Sequence, residues 1–350
     1  MAYKILYIED LDPGSIVHDL KSNGFEAEHY NPESLEALVS KTKDYDLLLL
    51  DFRLTENKMV VFDAPTIAQT VRTIGGSAHI DMPIVLISTE VKITDYYKDY
   101  SSQDLFDFSV SKEIFLGHLE KYTTRLKSVI NAYKLITETN KNLEQCLSIS
   151  ANKLKSLDYR IIEQLNGEMY KNDIFAFNSY LLNQIIRSVG VLIGEEVLLA
   201  RLGICKSSPD WKNLKMELEP FKYKGVYHDA YERWWSAEIE DWWKEKTNNL
   251  SLRRLSAEQR VEVIKKFAKY TELIVQKKTN HATSSNYWTI CKQLKIGIDS
   301  IDGLELHHRE LKPWQEKEYI SIQAGLEASE LFNFVKHSDK ERLKEIASKL

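Results

Sequence analysis

Apolar residues follow three patterns along this chain. Short unbroken runs come first: Ile5-Leu6-Tyr7-Ile8, Leu47-Leu48-Leu49-Leu50 and Ile84-Val85-Leu86-Ile87. Runs of this length without alternation predict strands buried on both faces. Phe25–Tyr30 and Phe106–Ser111 read as two further strands. The stretches between them carry ordinary helix punctuation. Asp12-Pro13 opens one helix and Gly24 stops it, Asn31-Pro32 opens the next, and Gly75-Gly76 closes a third that begins near Ala64. Strand and helix alternate five times, which predicts a doubly wound parallel sheet with every strand C-terminus on one edge.

The second pattern begins at Lys112. One series is Phe115, Tyr122, Val129, Ile136 and Leu143; the other is Leu119, Leu126, Tyr133, Asn140, Leu147, Leu154 and Ile161. Neither Pro nor Gly interrupts between Gly117 and Gly167. The spacing predicts a long heptad helix over residues 112–165, with a weak point near 148–151. Its seam would suit a parallel homodimer in which Asn140 fixes the register. The same stripe would also serve as an ordinary core face against the rest of the chain.

The third pattern fills residues 166–350 and is helical. Asp173 to Ile204 reads as two helices broken near Gly190 or Gly194. Trp235, Ile239 and Trp242 share one helical face, which predicts a core stripe. Ser256 and Gln259 form a capping box that opens a helix. Thr279 to Asp302 reads as a long polar loop, and Lys312-Pro313 as the start of a helix to about Lys336. The expected organisation is therefore a domain over 1–120, a helical linker over 112–165, and an all-α domain over 166–350.

Composition narrows the functional classes. Of 350 residues, 43% are hydrophobic and 28% charged, which fits a well-packed soluble core. No apolar stretch is long enough to span a membrane. The three cysteines, Cys146, Cys205 and Cys291, are widely spaced and fit free thiols in a reducing cytoplasm. Residues 1–125 hold 12 Lys and Arg against 21 Asp and Glu; the remainder holds 35 against 31. The second part is too weakly basic for a nucleic-acid footprint. No Walker loop, kinase glycine loop or Gly-x-Ser-x-Gly motif occurs in it.

Candidate chemistry gathers at the strand ends. Glu9 and Asp10 follow the first strand, Asp51 ends the third, Ser88 ends the fourth, and Lys112 follows the fifth. Clustered carboxylates repel one another unless a hard cation sits among them, and Mg²⁺ favours oxygen ligands. Asp51 can then attack phosphorus and form an acyl phosphate. Mg²⁺ and Lys112 would neutralise the phosphoryl oxygens, and Ser88 would donate a hydrogen bond to one of them.

The stretches ILYIED, LLLLDFRL, PIVLIST and VSK, in this order, resemble the CheY-like receiver domain of two-component response regulators. The resemblance covers about residues 1–120 and implies a flavodoxin-like (βα)5 fold with a five-stranded parallel sheet. It implies Asp51 as phospho-acceptor, Glu9 and Asp10 as Mg²⁺ ligands, and the carbonyl of Arg53 as a third protein ligand. It implies Ser88 as the switch hydroxyl and Lys112 as the family's strand-end lysine. A histidine kinase or phosphotransfer protein would be the partner. The sequence departs from the family in three places: Glu113 stands where proline usually follows the lysine, Ser109 stands at the aromatic switch position, and the loop after Asp51 is longer than usual. The layout of receiver, long helix and Trp-rich helical domain is similar to receiver proteins of antiphage phosphorelays of the Detocs type. The resulting expectation is a response regulator or a phosphate sink. The alternative is an effector enzyme or DNA-binding regulator with its site in the helical domain.

Overall fold

The computed structural model describes residues 2–54, 60–73, 81–90, 105–268, 270–307 and 310–349. The chain divides into two compact units: residues 1–181 with 225–230, and residues 182–224 with 231–350.

The first unit is built on five parallel strands, β1 (Tyr3–Ile8), β2 (Phe25–Tyr30), β3 (Leu47–Asp51), β4 (Ile84–Ser88) and β5 (Phe108–Ser111). Their order is β2-β1-β3-β4-β5, the doubly wound order with its switch point between β1 and β3. β3 and β4 are buried at every position, as their unbroken apolar runs require. Leu6, Ile8, Leu48, Leu50, Ile84 and Leu86 pack with Leu38 of α2 (Leu35–Thr42) and with Ile67 and Val71 of α3 (Ala64–Thr73). α1 (Ile16–Ser22) follows β1, and the Lys127 ammonium bonds the carbonyl of Asn23 at its end (2.9 Å). Gly75, Gly76 and residues 91–104 of the connection between β4 and β5 fall outside the described residues.

After β5 the structure departs from the expected long helix. α4 (Lys112–Gly117) is followed by α5 (Leu119–Glu138), and there the continuous helix stops. Asn140 and Lys141 both adopt positive φ (50° and 60°), which breaks the helix; short helices over Leu143–Leu147, Ala151–Ser156 and Tyr159–Leu165 follow. Asn142, Ser150 and Asp158 each cap one of these helices with a side-chain oxygen. These caps are physical breaks that a heptad count passes over. The seam residues Leu126, Val129, Tyr133 and Ile136 are buried within the first unit. They are thus spent on an intramolecular core, which replaces the expected coiled-coil dimer over 112–165. The five-stranded sheet and the helices up to Leu181 belong to one compact unit.

A buried polar network holds this unit together. Asp107, just before β5, pairs with Arg72 at the end of α3 (3.0 Å). It also accepts hydrogen bonds from the Ile84 amide (2.8 Å), the Tyr133 hydroxyl (2.9 Å) and the Asn178 side-chain amide (3.0 Å). Tyr227 in turn donates to Asn178 (2.8 Å). The Arg72 guanidinium stacks on the Phe175 ring, 3.8 Å from its centroid. Burial pushes the Asp107 carboxyl up, against the opposing pull of Arg72.

The second unit is mainly helical, with three short antiparallel ribbons alongside the helices. These pair Leu192–Ile193 with Trp234–Trp235, Thr289–Ile290 with Gly297–Ile298, and Gly303–Glu305 with Tyr319–Ser321. A helix runs over Glu195–Leu202 after Gly194, and the Ser256–Gln259 capping box is formed in both directions (3.3 and 2.9 Å), opening a helix that ends at Ala268. The loop expected over 279–302 contains one ribbon, and the helix expected over 312–336 is a strand, a short helix over Ile322–Glu327 and a 3₁₀ segment. Short ribbons of two or three residues carry too little periodicity to be read from sequence. The tryptophan stripe is core: Trp234, Trp235, Ile239, Trp242 and Trp243 are all buried. Among the described residues no helix is long and apolar enough to cross a membrane.

One carboxylate gives this unit a measurable pH dependence. Glu195 accepts from Trp211 (3.1 Å) and Lys215 (2.8 Å) and pairs with Lys206 (2.8 Å). Burial would raise its pKa, but these donors hold it down at about 2. Its folded pKa therefore lies below the unfolded value of about 4.3. The stability it contributes is present above the unfolded value and is lost as pH falls toward the folded one. Glu195→Gln is expected to flatten the acid limb of urea denaturation midpoints measured across that window. An unchanged limb would show that other carboxylates set it.

Candidate phosphoryl-acceptor site

Parallel strands with right-handed crossovers bring Glu9, Asp10, Asp51, Ser88 and Lys112 to the C-terminal edge of one sheet. Asp51 pairs in register with Ile87, so Ser88 stands one residue beyond it on the adjacent strand. Ser88 is opposite Ser111, and Lys112 follows directly. Glu9, Asp10, Asp51 and Ser88 are 1%, 3%, 2% and 0% exposed. The five expected residues thus share one edge.

Lys112 is the electrostatic centre of the group. Its ammonium bonds the Glu9 carboxylate and lies 3.0 Å from Asp51 Oδ1. Burial disfavours the ammonium, yet Glu9 and Asp51 together hold its pKa above the usual lysine value. The second Asp51 oxygen accepts from the Arg53 amide (3.3 Å). Glu113 lies in the first turn of α4, which Ser111 caps through the Ile114 amide (3.2 Å). The backbone after Lys112 therefore enters a helix at once.

Ser88 Oγ is fully buried and has no hydrogen-bond partner among the described residues. A buried hydroxyl without a partner is destabilising in itself. Ser88→Ala is therefore expected to change the unfolding free energy by less than about 1 kcal/mol, because no bond made in this state is lost. Chemical denaturation checks this; a loss of several kcal/mol would mean that the hydroxyl is engaged.

Glu9, Asp10 and Asp51 offer only oxygen donors, and their three carboxylates outnumber the single ammonium beside them. That chemistry fits a hard divalent cation such as Mg²⁺. In the present geometry Glu9 and Asp51 are drawn onto Lys112, and no group of three or more His, Cys, Asp or Glu side chains among the described residues is arranged as a metal cluster.

Two contributions escaped sequence reasoning. Tyr7 on β1 donates its hydroxyl to Glu9 Oε2 (2.9 Å), and burial together with the Glu9 charge pushes the phenol's pKa up. Its signal was a tyrosine among aliphatic residues two positions before an acid. Asp107 was readable as an acid inside an apolar strand, a position that requires buried partners.

No family model matches the chain, and no curated protein matches it. Solved structures do match. A CheY-like response regulator receiver domain from Methylobacillus flagellatus is 20% identical, covers 36% of this chain and 99% of its own, and superposes with a TM-score of 0.28. The receiver domain of a signal transduction histidine kinase from Syntrophus aciditrophicus is 20% identical over 36% of this chain and 89% of its own, with a TM-score of 0.28. The chemotaxis response regulator CheY4 of Vibrio cholerae is 20% identical over 35% of this chain and 98% of its own, with a TM-score of 0.26. The strand order β2-β1-β3-β4-β5 and the flanking helices of the first unit are those of the flavodoxin-like fold.

Proposed function

We propose that this chain is a two-component response regulator whose Asp51 accepts a phosphoryl group from a phosphohistidine on a partner kinase or phosphotransfer protein. One observation carries the reading: a buried aspartate at a strand end is held by an ammonium, with a buried, unpartnered hydroxyl ending the next strand. An Asp51 carboxylate oxygen attacks phosphorus, the new O–P bond forms, and the N–P bond to the donor imidazole breaks. Lys112 balances charge on the phosphoryl oxygens, and Ser88 donates to one of them. Asp10, Asp51, Glu9 and the Arg53 carbonyl are the groups that would hold Mg²⁺. When bound, that ion would neutralise charge on the transferring group.

Readout is assigned to the helices joined to the sheet. With Ser109 in place of an aromatic residue and a helix entered directly at Lys112, the reading favours coupling through α4, α5 and the helices behind them. The second unit is then an interaction module, or the protein acts as a phosphate sink in which acceptance is itself the function. Membership of an antiphage phosphorelay loses one of its supports, because the long continuous helix is absent from residues 112–165. Intact-mass measurement after incubation with Mg²⁺ and a small phosphodonor tests the reading. A single phosphoryl adduct that is lost with EDTA is expected. No adduct from either the small donor or a phosphorylated kinase would refute it.

A further inference from the structure

The second unit contains a cleft of about 570 Å³ between the segment around 183–197, Arg233, the ribbon at 289–290 and residues 311–319. That volume is in the range of small-molecule sites. Its wall carries more cations than its own carboxylates neutralise. Lys292 pairs with Glu318, Lys317 pairs with Glu305 (2.9 Å), and Glu316 is taken by the buried Arg201 (2.8 Å). Among the described residues three lining cations remain, Arg187, Arg233 and Lys295, against one lining carboxylate, Glu196.

Arg233 is the most constrained of the three. Its Nε donates to the Ile186 carbonyl (2.7 Å), which fixes the plane of the guanidinium. Its Nη1 lies against Gly194, where a Cβ would displace the guanidinium. Gly194 begins the helix over Glu195–Leu202 and provides no side-chain cap. A guanidinium against the positive end of a helix is unfavourable unless an anion is shared between them. Independently of the helix end, burial pulls the Arg233 pKa below the usual arginine value, with Glu196 opposing this. Arg187 and Lys295 are exposed and approach the same cleft. The Val197 and Tyr319 side chains add apolar wall.

We propose that this cleft binds a small phosphomonoester, its dianionic phosphate seated among Arg187, Arg233 and Lys295. Three cations against one carboxylate leave two charges to be met, the charge of such a group. The inference stands apart from phosphoryl transfer at Asp51.

Isothermal titration calorimetry on the full chain tests it, with inorganic phosphate and AMP as probes and acetate as the monoanion control. Titrations in EDTA with the Asp51→Asn chain remove the receiver edge as a competing site. Saturable binding of at least one dianion is expected, with none for acetate. Phosphate alone would indicate a compact ligand, and tighter AMP an organic moiety seated in the cleft; both support the proposal. The double substitution Arg187→Gln and Lys295→Gln, at two exposed positions, is expected to weaken binding at least about tenfold, or about 1.4 kcal/mol. No saturable binding of either dianion, or binding unaltered in the double variant, would overturn the proposal.

Discussion

Asp51→Asn is expected to abolish phosphoryl uptake while leaving the fold in place. The amide has no anionic oxygen with which to attack phosphorus, so no acyl phosphate forms. Shape and volume at the end of β3 are nearly unchanged, and the Arg53 amide still has an oxygen to bond. Lys112 keeps Glu9 as a carboxylate partner. Intact mass after exposure to a phosphodonor reads the first effect, and a thermal melt reads the second. An adduct that survives the substitution would move the acceptor to another residue.

Asp107→Ala is expected to destabilise the first unit by about 3–5 kcal/mol, the range for removing one partner of a buried ion pair. The Arg72 guanidinium would remain buried with carbonyl partners only, Met82 at 2.8 Å being the nearer. The Ile84 amide, the Tyr133 hydroxyl and the Asn178 amide would each lose an acceptor. Asp107→Asn keeps an oxygen for these donors and is expected to be milder. Urea denaturation of the two variants and wild type separates the effects. A loss below about 1 kcal/mol for Asp107→Ala would mean that the network relaxes onto water. The same network ties α3 and β5 to α5 and to Asn178, so it also joins the sheet to the helices behind it.

The sheet and its chemical edge were legible because both rest on short-range signals. Four consecutive leucines before Asp51 specify a strand buried on both faces, and handedness then places its end beside the ends of its neighbours. The helix after Lys112 was misread for a physical reason. A seven-residue repeat from Phe115 to Ile161 is met equally by one long helix and by several short ones that bury the same positions. Asn140 and Lys141 at positive φ decide between them; asparagine tolerates that region better than most residues, but lysine gives no such sign. Asp107 shows a different gap. Its partners Arg72, Tyr133 and Asn178 are separated from it by 35, 26 and 71 residues, distances over which no local pattern operates. Trp235, Ile239 and Trp242 were read correctly as core, because a helical stripe needs only its own spacing.

Locating the phosphoryl group tests the central claim most directly. Wild-type protein treated with Mg²⁺ and phosphodonor, then reduced with borohydride and digested, should carry the reduced acyl phosphate as a homoserine-type mass change at Asp51 and nowhere else. Modification at another carboxylate, or at none under conditions in which a phosphorylated kinase is also present, would contradict the account.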